Sequence, residues 1–159
     1  MLISFILLMA TWILLNGKFD LATLGIGFAV SLLIAVVFCR NCSVFSEMKF
    51  TPKAIAYLFG FGIVFFIELI KSNFDVALRV ISPSLPINPG IVETKTVLKS
   101  KLGRMILTNA ITLTPGTLTI DIIDDTVYVH RVEVIDETIE RNTKEVVSKF
   151  EKYLEVIYG

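Results

Sequence analysis

Three apolar runs, at 2–15, 21–38 and 54–67, dominate the first half of the chain, and shorter amphipathic patterns follow them. Asn16-Gly17-Lys18-Phe19-Asp20 separates the first two runs and has the composition of a turn. So short a connection makes the two runs an antiparallel helical hairpin. The second run, at about 18 residues, is long enough to span a bilayer. The first is shorter and needs a thinned bilayer or protein neighbours. The third, between Lys53 and Glu68, has an uninterrupted core of about 14 residues, a length more typical of interfacial, re-entrant or protein-buried helices. Beyond it Glu68, Lys71, Ser72, Asp75 and Arg79 recur at helical spacing, with Leu69, Ile70, Phe74, Ala77, Leu78 and Ile81 on other faces. This amphipathic continuation ends at Pro83 and Pro86.

From residue 83 onward the pattern is that of a water-facing domain. Residues 90–97 alternate and predict a strand. Residues 100–113 carry Leu102, Met105, Ile106, Ala110 and Leu113 at helical spacing. Pro115-Gly116 breaks that helix. Residues 117–122 alternate, with Leu118, Ile120 and Ile122 expected on one face. Asp124-Asp125 turns the chain into a second β run at 126–134, completing a hairpin. Asp136 is placed to cap a last helix, with Glu137 and Glu140 in its first turn and an apolar face of Ile139, Val146, Val147, Phe150, Leu154 and Ile157. The expected architecture is a membrane α-helical half at 1–82, a hairpin plus an amphipathic third helix, followed by a small α+β domain of order β-α-β-β-α at 83–159.

Charge refines the layout. Residues 1–82 hold six Lys/Arg against four acids, and the remainder holds nine against eleven. No strongly basic face points to nucleic acid. If all three apolar segments span, the basic residues divide equally between the two sides. If only the first two span, everything from Arg40 onward lies on one side, opposed by Lys18 alone. The positive-inside tendency favours the second layout: a multi-pass protein of the cell membrane with a cytoplasmic C-terminal domain. The first run lacks a basic leader and is followed by a second apolar segment, so it reads as an anchor rather than a cleaved signal. Lys95, Lys99, Lys101 and Arg104 form either a solvated face or a contact for anionic lipid headgroups.

Little in the chain suggests catalysis. Cys39-Arg40-Asn41-Cys42 has redox spacing but follows an apolar helix, and a zinc site would find only His130 to add to the two cysteines. There is no phosphate-binding or dinucleotide fingerprint. No catalytic, metal-binding or cofactor-binding residue is expected. Glu68 and Lys71, the ionisable pair nearest membrane depth, are candidates for an ion path or for an interfacial pair. The first two runs carry no charge at all, which argues against transport by this chain alone. Small residues four apart, Gly25 and Ala29, Gly27 and Ser31, Ala56 and Gly60, are candidates for close helix packing, within the chain or against another subunit.

The most distinctive stretch is Asn109-Ala110-Ile111-Thr112-Leu113-Thr114-Pro115-Gly116-Thr117-Leu118-Thr119-Ile120-Asp121, followed by Val129-His130. It resembles the E subunit of Mrp-type multisubunit cation/proton antiporters, and the likeness extends to the N-terminal hairpin, the third helix and Pro89-Gly90-Ile91. One departure is Arg131-Val132-Glu133, where an acid often follows the Val-His pair. The resemblance implies an accessory or assembly subunit of a sodium/proton antiporter, with polytopic subunits and the lipid bilayer as partners and no cofactor. The related subunit of archaeal membrane-bound hydrogenases is the alternative it implies. It also points to Asn109, Thr112, Thr114, Pro115, Gly116, Thr117, Asp121 and His130 as a structural or docking motif.

Overall fold

A computed structural model describes residues 2–38, 47–135 and 138–159. The Cys39/Cys42 pair, Arg40 and the Asp136/Glu137 cap lie outside the described residues. The chain divides by its contacts into two compact units, Met1–Ser46 and Glu47–Gly159. The change in composition near residue 82 therefore differs from the contact boundary, because the third helix packs with the domain that follows it.

The first unit is a helical hairpin of α1 (Leu2–Asn16) and α2 (Leu21–Phe38). Gly17 takes a left-handed φ of 61°, and Asp20 caps α2 by accepting from the Thr23 amide at 2.9 Å and its hydroxyl at 2.7 Å. Small residues, Ser4 on α1 and Gly27, Ser31 and Ala35 on α2, are buried where the helices meet. A Cβ on Gly27 would fall 2.3 Å from the Trp12 ring, so glycine is what admits the indole there. The indole N–H donates to the Thr23 carbonyl at 2.9 Å, and Phe5 meets Phe28 edge-to-face. Gly25 and Ala29 lie on the outside of the hairpin.

The second unit opens with α3 (Pro52–Ile81), one continuous helix of 30 residues. Thr51 caps its start, with proline in the first turn, and both fit the rules for a helix N-terminus. Both α2 and α3 are long and apolar enough to cross a membrane by length and composition. The α/β domain follows: β1 (Gly90–Lys95), α4 (Lys101–Leu113), β2 (Thr117–Ile123), β3 (Thr126–Arg131), α5 (Ile139–Asn142), a π turn at Thr143–Val147 and α6 (Ser148–Tyr158). The three strands form an antiparallel sheet in the order β1-β3-β2. Helices α4 and α6 cover one sheet face, and α3 packs on the outside of α6. Phe150 joins the layers: it is fully buried in the domain core, and Phe61 and Phe65 of α3 reach it at ring distances of 6.1 and 6.4 Å. A Cβ on Gly60 would come 2.8 Å from Tyr153, so this glycine serves the α3–α6 contact, while Ala56 is exposed.

Two expected faces are placed differently. On α4 the buried stripe is Gly103, Leu107, Ala110 and Ile111, and Met105 and Leu113 are exposed. The Ser100 cap and the close approach of Gly103 to Tyr158 set the rotation of the helix. On β2 a bulge between Thr119 and Asp121 shifts the register. Leu118 and Ile120 therefore face away from the helices while Ile122 packs on the core. The last helix buries its expected apolar face, from Val146 to Ile157.

Trp12 is the chain's one tryptophan, which makes it a reporter of hairpin packing. Gly27→Val should expel the indole and break its bond to Thr23. The emission of the purified chain should shift measurably, and Gly25→Val, where open space surrounds the glycine, should leave it unchanged.

Candidate functional site

Two groups of residues marked in the sequence meet in one charged cleft of about 240 Å3. Helix α3 contributes Glu68, Lys71, Ser72, Asp75 and Arg79. The α4–β2 corner contributes Thr114, Pro115, Gly116 and Thr117, and Arg131, Val132, Glu133 and Lys149 complete the lining.

The corner is built by its hydroxyl groups. A helix end leaves its last carbonyls without intrahelical partners. The Thr114 hydroxyl donates to the Ala110 carbonyl at 2.8 Å, and the Thr117 hydroxyl donates to the Ile111 carbonyl at 2.7 Å and to the Thr114 carbonyl at 2.8 Å. The Thr119 hydroxyl donates to the Thr108 carbonyl at 3.2 Å. Between them Pro115 and Gly116 make a tight turn, with Gly116 at φ 88° and the Thr117 amide donating to the Thr114 carbonyl. A Cβ on Gly116 would lie 3.2 Å from Val132 and 3.6 Å from Val76, so the turn seats directly against α3.

The charges close on one another. Glu68 accepts from Lys149 at 2.7 Å and from Lys71 at 3.2 Å. Arg79 grips Asp75 with two nitrogens, reaches Glu133 at 2.6 Å and donates to the Pro86 carbonyl at 2.8 Å. Arg131 donates to the buried Asn142 side chain at 2.8 Å and to Glu145 at 3.0 Å. Burial works to raise the Glu145 carboxyl, but hydrogen bonds from Arg141 and Arg131 outweigh it and hold the group below its ordinary value. Two of these pairs, Glu68 with Lys149 and Arg79 with Glu133, bridge the elements, so the cleft works as a clamp between α3 and the α/β domain. Among the described residues no cluster of three His, Cys, Asp or Glu side chains could hold a metal ion.

The rest of the marked motif lies elsewhere. Asn109, Thr112 and Asp121 line a second, shallow depression of about 300 Å3 on the outer edge of α4 and β2. There Thr112 accepts from the Thr119 amide at 3.2 Å, and Asp121 accepts from the neighbouring Ile122 amide at 2.7 Å. His130 stands on the sheet face away from the helices, in register between Ile91 and Leu118. Of the basic cluster after the third helix, Lys95 pairs with Asp125 at 2.9 Å and Arg104 bonds the Leu98 carbonyl. Lys149, Glu133 and Arg131 were not legible as site residues. Lys149 is 81 residues from Glu68 and Glu133 is 54 from Arg79, and no local spacing announces pairs so remote.

A family model described as a Na+/H+ ion antiporter subunit, MNHE, matches residues 5–157. The chain is 34% identical over 143 residues to the E1 subunit of the Na+/H+ antiporter of Staphylococcus haemolyticus, covering 89% of this chain and 86% of that protein. It is 32% identical to the E subunit of the Na+/H+ antiporter of Alkalihalophilus pseudofirmus, covering 89% and 87%. Among solved structures, a chain of the membrane-bound sulfane sulfur reductase, an archaeal respiratory membrane complex, superposes with a TM-score of 0.84 at 37% identity over 98% of this chain and 96% of that one.

Gly116→Ala should destabilise the domain by roughly 1–3 kcal/mol, because alanine at that φ is strained and its methyl group presses on Val132. Chemical denaturation followed by circular dichroism measures it. For Glu145 the lowered carboxyl means that its ion pairs stabilise the fold at neutral pH and that this contribution is lost as pH falls through and below the ordinary glutamate range. The difference in Tm between the parent and Glu145→Gln should accordingly be present at pH 7 and shrink toward zero in acid.

Proposed function

Because this chain belongs to the Na+/H+ ion antiporter subunit family MNHE, we propose that it is an accessory and assembly subunit of a multisubunit sodium/proton antiporter of the cell membrane. The α1–α2 hairpin anchors it in the bilayer, and the placement of Lys/Arg, all after α2 except Lys18 in the hairpin turn, supports a cytoplasmic position for the α/β domain. It is not itself an enzyme or a transporter. The observation that carries this reading is the charged cleft: α1 and α2 hold no charge, and Glu68, the acid at the end of the third apolar segment, is already held by Lys149 and Lys71. At the end of an apolar segment, pairing with two lysines is enough to account for this carboxylate structurally. In this reading the Thr-Pro-Gly-Thr corner supports the clamp. Asn109, Thr112, Asp121 and His130, on surfaces pointing elsewhere, are contacts for neighbouring subunits.

A second host is favoured by one observation, the near full-length likeness to a chain of an archaeal respiratory membrane complex. The same accessory role would then serve the ion-translocating module of a respiratory or hydrogenase-type assembly.

Purification in mild detergent through a tag on this chain tests both. Polytopic antiporter-type subunits alone should accompany it in the first case, and redox subunits in addition in the second. Cation exchange by the isolated chain in proteoliposomes would refute the accessory role. In the assembled complex, Glu68→Gln should reduce yield and thermal stability while turnover per complex stays within about twofold of the parent. Abolished turnover in a fully assembled Glu68→Gln complex would instead make Glu68 part of the ion path.

A further inference from the structure

Helix α3 presents two faces of opposite character along its whole length. One is committed to the α/β domain. The contacts run in antiparallel order: Lys49 bonds the Gly159 carbonyl, Tyr57 meets Tyr153, Phe61 meets Phe150, Glu68 pairs with Lys149, and near the far end Arg79 pairs with Glu133. The other face is apolar and uncovered. Ile55, Phe59, Ile63, Phe66, Ile70 and Phe74 follow one another along it, each substantially exposed, without a charge among them. At 1.5 Å per residue the 30-residue helix is about 45 Å long, well beyond the roughly 30 Å of a hydrocarbon core.

These facts cannot be satisfied by an upright helix. α3 is held to the domain at Tyr57, Phe61, Phe65, Glu68 and Arg79, so a spanning α3 would carry α6 into the bilayer beside it. The α6 residues Lys152 and Glu155 are exposed, and Lys149 and Glu68 sit midway along the contact. Charged groups at that depth are strongly disfavoured. A horizontal helix resolves the conflict. Its apolar face sinks into the boundary of headgroups and acyl chains while the domain stays in water on the opposite side. Two lysines support this placement. Lys53 and Lys71 are 18 residues apart, five full turns, and therefore share one flank of the helix between the apolar face and the domain. Lys71 is 69% exposed despite its pairing with Glu68. That flank is where an anionic headgroup layer would meet them.

We propose that α3, although long and apolar enough to cross a membrane, lies in the plane of the lipid surface and fixes the α/β domain against it through its uncharged face. The proposal rests on the chain being a membrane subunit. α3 begins 14 positions after α2 ends, so the chain tethers it to the hairpin.

The test uses the complex captured through this chain, with Cys39 and Cys42 replaced by serine, reconstituted in phosphatidylethanolamine/phosphatidylglycerol vesicles. A bimane probe is attached at Ile55→Cys, Phe66→Cys or Phe74→Cys, with Leu33→Cys in α2 as a reference. Quenching is compared between lipids carrying a nitroxide high or low on the acyl chain. All three α3 positions should respond alike, with the shallow quencher at least about twofold more effective. A graded depth differing by about 28 Å between positions 55 and 74 would mean a spanning helix and overturn the proposal. Absence of lipid quenching at all three would mean that a protein partner covers the face, which also overturns it. Failure of the Leu33→Cys reference to reach the deep quencher would instead refute the membrane reading beneath it.

Discussion

The packing of α3 on α6 is the contact on which the second unit depends. Phe150 belongs to the core of the sheet-and-helix domain, yet it is also the surface on which Phe61 and Phe65 rest. Aromatic groups bury large areas, and with Tyr57 and Val64 this contact supplies apolar adhesion between the long helix and the domain. The ion pairs around it set the alignment. Lys149 with Glu68 and Arg79 with Glu133 are spaced along α3 so that sliding by one turn would break both. Partly exposed pairs contribute little free energy individually, and their value here is registry rather than strength.

The Thr-Pro-Gly-Thr corner shows why a motif can be specific without being catalytic. Ending a helix and starting a strand within four residues leaves several carbonyls needing donors. Threonine supplies a hydroxyl from a stiff β-branched side chain that also suits the strand that follows. Gly116 supplies a backbone angle that other residues resist, and it permits the approach of Val76 and Val132. The corner thereby becomes a rigid abutment for α3, and its sequence constraint follows from hydrogen-bond accounting rather than from a bound ligand.

Much of this was legible in the chain itself. The two hairpin helices, the order β-α-β-β-α and the apolar face of the last helix follow from period and punctuation, because each is decided by neighbours within a few residues. The failures have local physical causes. The bulge at Thr119 and Asp121 inverts which side Leu118 and Ile120 face, and strict alternation carries no sign of an extra residue. The rotation of α4 depends on Gly103 fitting against Tyr158, which lies at the other end of the domain sequence. The cleft was half visible. Its α3 residues and its corner were each marked in the sequence, but their meeting, and the role of Lys149 and Arg131, depend on tertiary contacts.

The threonines at the edge of the sheet have a bearing on how neighbours can attach. Strand β2 is an edge strand, and such edges ordinarily offer free amides to any extended segment nearby. Here the Thr119 amide is taken by Thr112, the Ile122 amide by Asp121, and the bulge twists the strand between them. On the opposite edge the Lys95 amide of β1 is taken by the Thr143 hydroxyl. At these positions the sheet margins are closed to strand addition. A protein made alongside many other hydrophobic chains gains protection from mispairing where its edge amides are taken by its own side chains.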